Sequence, residues 1–307
     1  MIYGQLGKPV LSSRWVYDAY HKKEVIASQT RSPRILLIGG SNLLFGIDSG
    51  RMSRELGLPV VNMGVNAGLQ LPYVLYEAKK VLRPGDTALL SLEYPEMYTY
   101  DGVPNQQIIS YLYAFDPGFW NALTWKERFL FLWDTPLSRL IEGYLETGDK
   151  PVHSGLYGAH HIDDHGDQTH TTLADLTPAI SQERDSTPPK KITEKDLNNH
   201  NLAWNYLEEF HRWASRNGID VYLIPSILMD DPSYHRGAAL KFFQTLPLRA
   251  RSHGLRFIGN PLDFLYPRKM FFNTNYHLNA PARKIHTHRM IDLLKRNKVI
   301  NIDEKRR

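Results

Sequence analysis

Apolar residues follow two rhythms along this chain. Residues 34–40, Arg-Ile-Leu-Leu-Ile-Gly-Gly, form a continuous apolar run closed by glycines, which predicts a strand buried on both faces. Helical spacing follows over 43–56 and stops at Gly57, a helix-ending residue. A second strand is predicted over 59–64, a helix over 71–82, a turn at 83–86 and a third strand over 87–93. The alternation lapses and then resumes. A helix spans 196–217, with Trp204, Leu207, Phe210 and Trp213 on its apolar positions. A strand follows at 218–225, a helix at 234–253, a fifth strand at 255–259 and a closing helix at 280–297. Strands that alternate with helical segments predict an α/β fold, a parallel sheet of about five strands covered by helices on both faces.

Between these halves, residues 95–195 break the pattern. Aromatic-rich helical stretches such as 129–133 give way to a polar tract at 153–191, rich in His, Asp, Thr and Pro. A loop of that length inside a compact domain is either functional or mobile. We read 1–307 as a single domain in which 95–195 is an insertion forming a cap or flank.

Composition changes this picture little. Of the 307 residues, 42% are hydrophobic and 22% charged, as in ordinary soluble globular proteins. The absence of cysteine removes disulfides, thiolate nucleophiles and cysteine-ligated metals. A net charge of +5 and a pI near 9.1 suit an acidic partner such as an anionic polysaccharide or a membrane surface. The basic residues are scattered, apart from a cluster at 303–307. No basic stripe is interleaved with aromatics, so nucleic-acid binding is not expected. No run approaches the ~18 apolar residues of a membrane span. No charged region followed by an apolar core opens the chain, so we expect either a cytoplasmic protein or a signal or anchor outside this sequence.

Candidate chemistry gathers where the strands end. In such sheets, ligands sit beyond the carboxyl ends of the strands. Ser41 ends the first strand, Gly64 and Asn66 end the second, and Glu93 and Tyr94 end the third. His277 follows the fifth, in the segment Phe271-Phe-Asn-Thr-Asn-Tyr-His277-Leu-Asn279. Ser41 is the candidate nucleophile. The Ser41 and Gly64 N–H groups are candidate oxyanion donors, and His277 is the candidate base. Asn42 and Asn66 belong to the same loops.

The Gly39-Gly40-Ser41-Asn42 block, the Asn62-Met-Gly64-Val-Asn-Ala-Gly68 block and the late His277-Leu-Asn279 together resemble the SGNH (GDSL-like) hydrolases. Their exopolysaccharide-associated branch, with the alginate and cellulose O-acetylation proteins, is the part most resembled. The resemblance covers roughly 10–95 and 195–295. It implies a flavodoxin-like three-layer α/β/α sandwich, Ser41 as nucleophile, Gly64 as oxyanion donor, His277 as base and carbohydrate ester chemistry outside the cytoplasm. Three family features are missing, one of them the glycine expected five residues after the histidine, where Ala282 stands. Leu92-Glu93-Tyr94 stands where an asparagine is usual, and Asn273-Thr274 where an aspartate precedes the histidine. Asn273 is therefore the candidate partner of His277, with Asp263 a more distant one. The site is a Ser–His dyad, a triad completed from elsewhere, or a degenerate site.

Two further features carry expectations. The tract His160-His-Ile-Asp-Asp-His165-Gly-Asp-Gln-Thr-His170 holds imidazoles and carboxylates but matches no metal-ligand spacing. Tyr98, Tyr100, Tyr111, Tyr113, Trp120, Trp125 and Trp133 are either core or a stacking surface for sugar rings. The resulting expectation is a serine acyl esterase or O-acetyltransferase acting on a polysaccharide or glycan. It needs no cofactor and no metal. It is periplasmic or otherwise extracytoplasmic, and takes acetyl groups, if any, from a membrane-bound partner protein. The alternative is a non-catalytic accessory protein that keeps a glycan groove.

Overall fold

The computed structural model describes Lys8 and residues 11–145, 156–197 and 202–299. The C-terminal basic cluster at 303–307 and the start of the polar tract at 153–155 lie outside the described residues. Helix α1 (Leu11–Gln29) leads into β1 (Ile35–Gly39). Two short helices, α2 (Ser41–Gly46) and α3 (Ser49–Leu56), precede β2 (Val60–Asn62), and α4 (Gln70–Val81) returns the chain to β3 (Thr87–Ser91). Between β3 and the next strand-bearing half lie α5 (Gln106–Phe115), α6 (Pro117–Ala122), α7 (Trp125–Trp133), α8 (Leu137–Tyr144), α9 (Pro178–Ser186) and α10 (Glu194–Leu197). The second half contains α11 (Ala203–Arg216), β4 (Asp220–Ile224), β5 (Leu228–Met229), α12 (Gly237–Ser252), β6 (Leu265–Tyr266) and α13 (Ala280–Arg296).

Strands β1 to β4 form one parallel sheet in the order β2-β1-β3-β4, and β5 pairs with β6 separately. Alternate residues of β1 serve opposite faces, as the pleat requires. Leu36 and Ile38 pack with Leu71 and Val74 of α4, Leu207 and Phe210 of α11 and Phe243 of α12. Ile35 and Leu37 pack with Met52 and Leu56 of α3 and Met290, Ile291 and Leu294 of α13. The protein is therefore an α/β/α sandwich.

The expected fifth strand shrinks to a single bridge, Leu223 to Phe257, held by Leu223 N–H to Arg256 O (2.8 Å) and Ile258 N–H to Leu223 O (3.0 Å). The chain turns away at Gly259, whose φ of +89° lies in the left-handed region. The single helix predicted over 43–56 is two helices. Asp48 interrupts it and caps the second one, accepting from Arg51 N–H at 2.8 Å.

The insertion builds a third core. Val16 and Tyr20 of α1 join Ile108 and Leu112 of α5, Phe119, Phe131 and Phe45 of α2. Tyr98, Tyr100, Tyr111 and Tyr113 are buried, so they serve the core, whereas Trp125 and Trp133 are exposed. Over 156–191 the polar tract carries α9, two 3-10 turns and the buried residues Asp167, Gln168 and Thr171. Among the described residues no helix is long and apolar enough to cross a membrane.

At the edge of the sheet away from Ser41, Arg34 and Asp86 form a fully buried ion pair at 3.1 Å. Arg34 also donates to the carbonyls of Ala27, Thr30 and Val81. Removing one member strands a buried charge, which typically costs about 3–5 kcal/mol. Asp86→Ala is expected to lose stability of that order in urea unfolding. The double variant Arg34→Met/Asp86→Leu should lose less, because no uncompensated charge remains.

Candidate active site

The strand order reverses direction between β1 and β3, and the crevice at that switch point is where an open α/β sheet receives ligands. Ser41 lies two residues beyond β1, and Glu93 two residues beyond β3. Ser41 Oγ donates to Glu93 Oε1 at 3.2 Å, and Asn42 N–H donates to the same oxygen at 3.0 Å. A Cβ on Gly40 would fall 2.6 Å from Glu93 Oε1 and 2.8 Å from Ala67 Cβ, so this approach requires glycine. Burial pushes the Glu93 carboxyl up to about 7, reinforced by Glu96 and opposed by the Asn42 N–H and Lys190.

His277 approaches from the far end of the chain, immediately ahead of α13. Its ring stacks on Phe45 with centroids 3.9 Å apart, and its Nδ1 lies 2.7 Å from Asn273 Oδ1. The Asn273 amide nitrogen donates to the Tyr157 hydroxyl at 3.2 Å and to Glu183 at 3.4 Å. The amide oxygen is therefore turned to His277 and accepts a hydrogen bond from Nδ1–H, which leaves Nε2 as the acceptor. Burial lowers the His277 imidazole to about 3, so it is neutral at ordinary pH. Asp263 is not its partner; it accepts from the Asn260 side chain on an exposed turn. Among the described residues the side-chain partner of Ser41 Oγ is Glu93, not His277.

The other expected site residues divide. Asn66 lines the cleft. Its Oδ1 accepts Gly68 N–H at 2.7 Å, which leaves its Nδ2 donors to the cleft. Three expectations are corrected. Gly64 is buried, and its N–H is already spent on Asn62 Oδ1 at 2.9 Å, so it cannot serve an oxyanion. Its lack of a side chain answers to packing, since a Cβ there would meet Gly40 O and Leu43 Cβ, each at 2.6 Å. Asn42 is consumed by the framework: its Nδ2 donates to Ser91 and Ser226, and its Oδ1 accepts Gly40 N–H. Tyr94 points into the core, where its hydroxyl accepts Ser226 N–H at 2.8 Å.

Ser41, Asn66, Glu93 and His277 line one cleft of about 450 Å³ with Trp15, Tyr157, Thr187 and Lys190. Ser41, Asn66, Glu93 and Lys190 also line an adjoining cleft of about 430 Å³ that runs toward Tyr100 and Asp101. Tyr157, Glu183, Thr187 and Lys190 all come from the insertion, and sequence reasoning missed them because a polar tract has no periodicity to read. Lys190 is held by an ion pair with Glu96 and lies over the Tyr276 ring.

A second missed group lies beneath the site. Asp167 accepts from Ser49 N–H (2.5 Å), Ser49 Oγ (2.8 Å) and Asn62 Nδ2 (2.8 Å). Lys23 of α1 donates to Gly64 O. Burial pushes Asp167 up and Lys23 down. These contacts clamp the loop that carries Asn66. In the histidine tract, His161 and His170 meet ring to ring at 3.1 Å. Among the described residues, no three His, Asp or Glu side chains gather as a metal site.

No family model matches the chain, and no curated protein matches it. Among solved structures it is similar to a GDSL-like lipase from Bacteroides thetaiotaomicron, with 10% identity over 92% of this chain and 100% of that one and a TM-score of 0.40. It is also similar to a candidate acylhydrolase from Bacteroides fragilis, with 9% identity over 91% of this chain and 96% of that one and a TM-score of 0.39.

The His277 environment yields a pH test. The unfolded histidine, with a pKa near 6.5, takes up a proton that the folded one refuses until about 3. Stability should therefore fall as pH drops from about 6.5 toward 3. Asn273→Asp supplies a charge at Nδ1 and should raise the His277 pKa toward its ordinary value, read by nitrogen NMR titration. Combining it with Glu183→Gln removes the competing carboxylate and should increase the shift.

Proposed function

We propose that the protein is a serine acyl esterase or O-acetyltransferase acting on ester groups of a polysaccharide or glycan. The observation that carries this reading is the hydrogen bond from the Ser41 hydroxyl to a buried carboxylate, in a cleft that also contains a neutral, tautomer-fixed imidazole. Ser41 Oγ attacks the acyl carbon to give an acyl-enzyme, and water or a sugar hydroxyl then takes the acyl group. Asn66 Nδ2 and the Ser41 N–H are the oxyanion donors. His277 Nε2 accepts and returns protons on the cleft side. An asparagine behind the histidine holds the tautomer but adds no charge to stabilise an imidazolium, so this base is weaker than one in a Ser-His-Asp triad.

The glycan assignment is supported by the shape and walls of the site. Asp101 borders both the cleft beside Ser41 and a further cavity of about 580 Å³ flanked by Tyr76, Phe119 and Tyr206. Trp15 and Tyr157, with ring centroids 5.1 Å apart, stand at the other side of Ser41. Aromatic faces on both sides of a nucleophile suit an extended chain of sugar rings. In this reading the protein works outside the cytoplasm, in the periplasm, and a membrane-bound partner delivers acetyl groups if the reaction is transfer. The accessory-protein alternative is favoured by one observation, the absence of a direct hydrogen bond between Ser41 and His277.

The two readings separate on acetate release from p-nitrophenyl acetate. Wild type is expected to turn over, while Ser41→Ala loses the activity and His277→Ala falls by about 10²–10⁴-fold. Equal release from all three proteins would sink the enzymatic reading and favour the accessory one.

A further inference from the structure

We propose that Glu93 is a catalytic residue, the group that takes the Ser41 proton as the serine attacks. This inference rests on the acyl-transfer reading of the same site. Glu93 Oε1 is 3.2 Å from Ser41 Oγ, the reacting atom, and it is fixed there by Asn42 N–H at 3.0 Å. The carboxylate approaches over Gly40, where a side chain would collide with it. No other side chain among the described residues accepts from Ser41 Oγ.

The step balances within the site. The Oγ–C bond forms as the Oγ proton passes to Glu93 Oε1, and the carbonyl π pair moves onto the carbonyl oxygen. When the intermediate collapses, the bond to the leaving oxygen breaks and Glu93 returns the proton to that oxygen. The cycle repeats with water or a sugar hydroxyl to release Ser41. A carboxylate beside an oxyanion is ordinarily repulsive, but this one becomes neutral as the oxyanion forms. Its removal of charge thus coincides with the appearance of charge on the substrate. His277 Nε2 is left to orient the incoming hydroxyl by accepting its hydrogen bond.

The titratable and charged groups facing Glu93 are Glu96 from its own loop, Lys190, Tyr157 and His277 across the cleft, and Tyr276. The two candidate bases lie far apart on the pH scale, since burial holds His277 near 3 and Glu93 near 7. A rising limb near neutral pH is expected from Glu93, and the variant that removes it identifies the base.

The test is the pH dependence of kcat/KM for p-nitrophenyl acetate in the full chain, for wild type, Glu93→Gln, Glu93→Gly and His277→Ala. Expected are a wild-type limb with its midpoint near 7 and a loss of about 10²–10⁴-fold with disappearance of the limb in Glu93→Gln. Gln retains an acceptor for the Asn42 N–H, so its unfolding curve should match wild type. Added formate should restore part of the rate to Glu93→Gly. The proposal is overturned if Glu93→Gln keeps both rate and limb, or if only His277→Ala abolishes the limb. It is also overturned if Glu93→Gln is slow with its limb intact and formate rescues nothing, which is the behaviour of a structural cap. Absence of any Ser41-dependent turnover in wild type would overturn the acyl-transfer reading itself, and this inference with it.

Discussion

Arg34 is the interaction on which the arrangement of this protein turns. Its guanidinium lies buried at the N-terminal edge of the sheet, paired with Asp86, and it takes up carbonyls near the ends of α1 and α4. The residue precedes β1, and Asp86 precedes β3. One side chain thus fixes the two central strands and the two helices that pack nearest to them. A charge so placed has no tolerable alternative, because solvent cannot reach it and every polar atom it touches belongs to the framework. With the strands aligned at that edge, their opposite ends emerge side by side, and Ser41 and Glu93 meet.

The site combines two proton acceptors in contrasting surroundings. His277 is flanked by Phe45 and Tyr157 and answered by a neutral amide, so it resists charge. Glu93 is also desolvated, yet it accepts two hydrogen bonds and faces Lys190, so it can ionise near neutrality. Divergent environments for neighbouring titratable groups are a common way of dividing acid and base roles. A neutral amide stands behind the histidine, and a buried carboxylate stands beside the serine.

The sheet and the positions of Ser41 and His277 were legible in the sequence because apolar runs, glycine stops and strand-end rules act locally. Asn273 was legible by its distance from the histidine. The fate of each polar group was not. Nothing in the order of residues reveals that the Gly64 N–H is occupied by Asn62, that Asn42 ties Gly40, Ser91 and Ser226 together, or that Asn66 is the loop member with donors to spare. The insertion was opaque for a related reason. Its contribution depends on Asp167 reaching Asn62 and Ser49, and on Glu183 reaching Asn273, contacts between residues some 90 to 120 positions apart. Polar residues without periodicity carry no sign of which distant partner they will meet.

Ser41 and His277 lie far apart in the sequence, with most of the cleft wall supplied from between them. At ribosomal speeds of roughly 5–20 residues per second, His277 is made on the order of 10–50 s after Ser41. Throughout that interval Ser41 can already face Glu93, but the wall formed by His277, Asn275 and Tyr276 does not exist. A nascent chain interrupted before α13 would carry an exposed serine with half of its surroundings. Synthesis of His277 and its neighbours is thereby also the step that finishes the site.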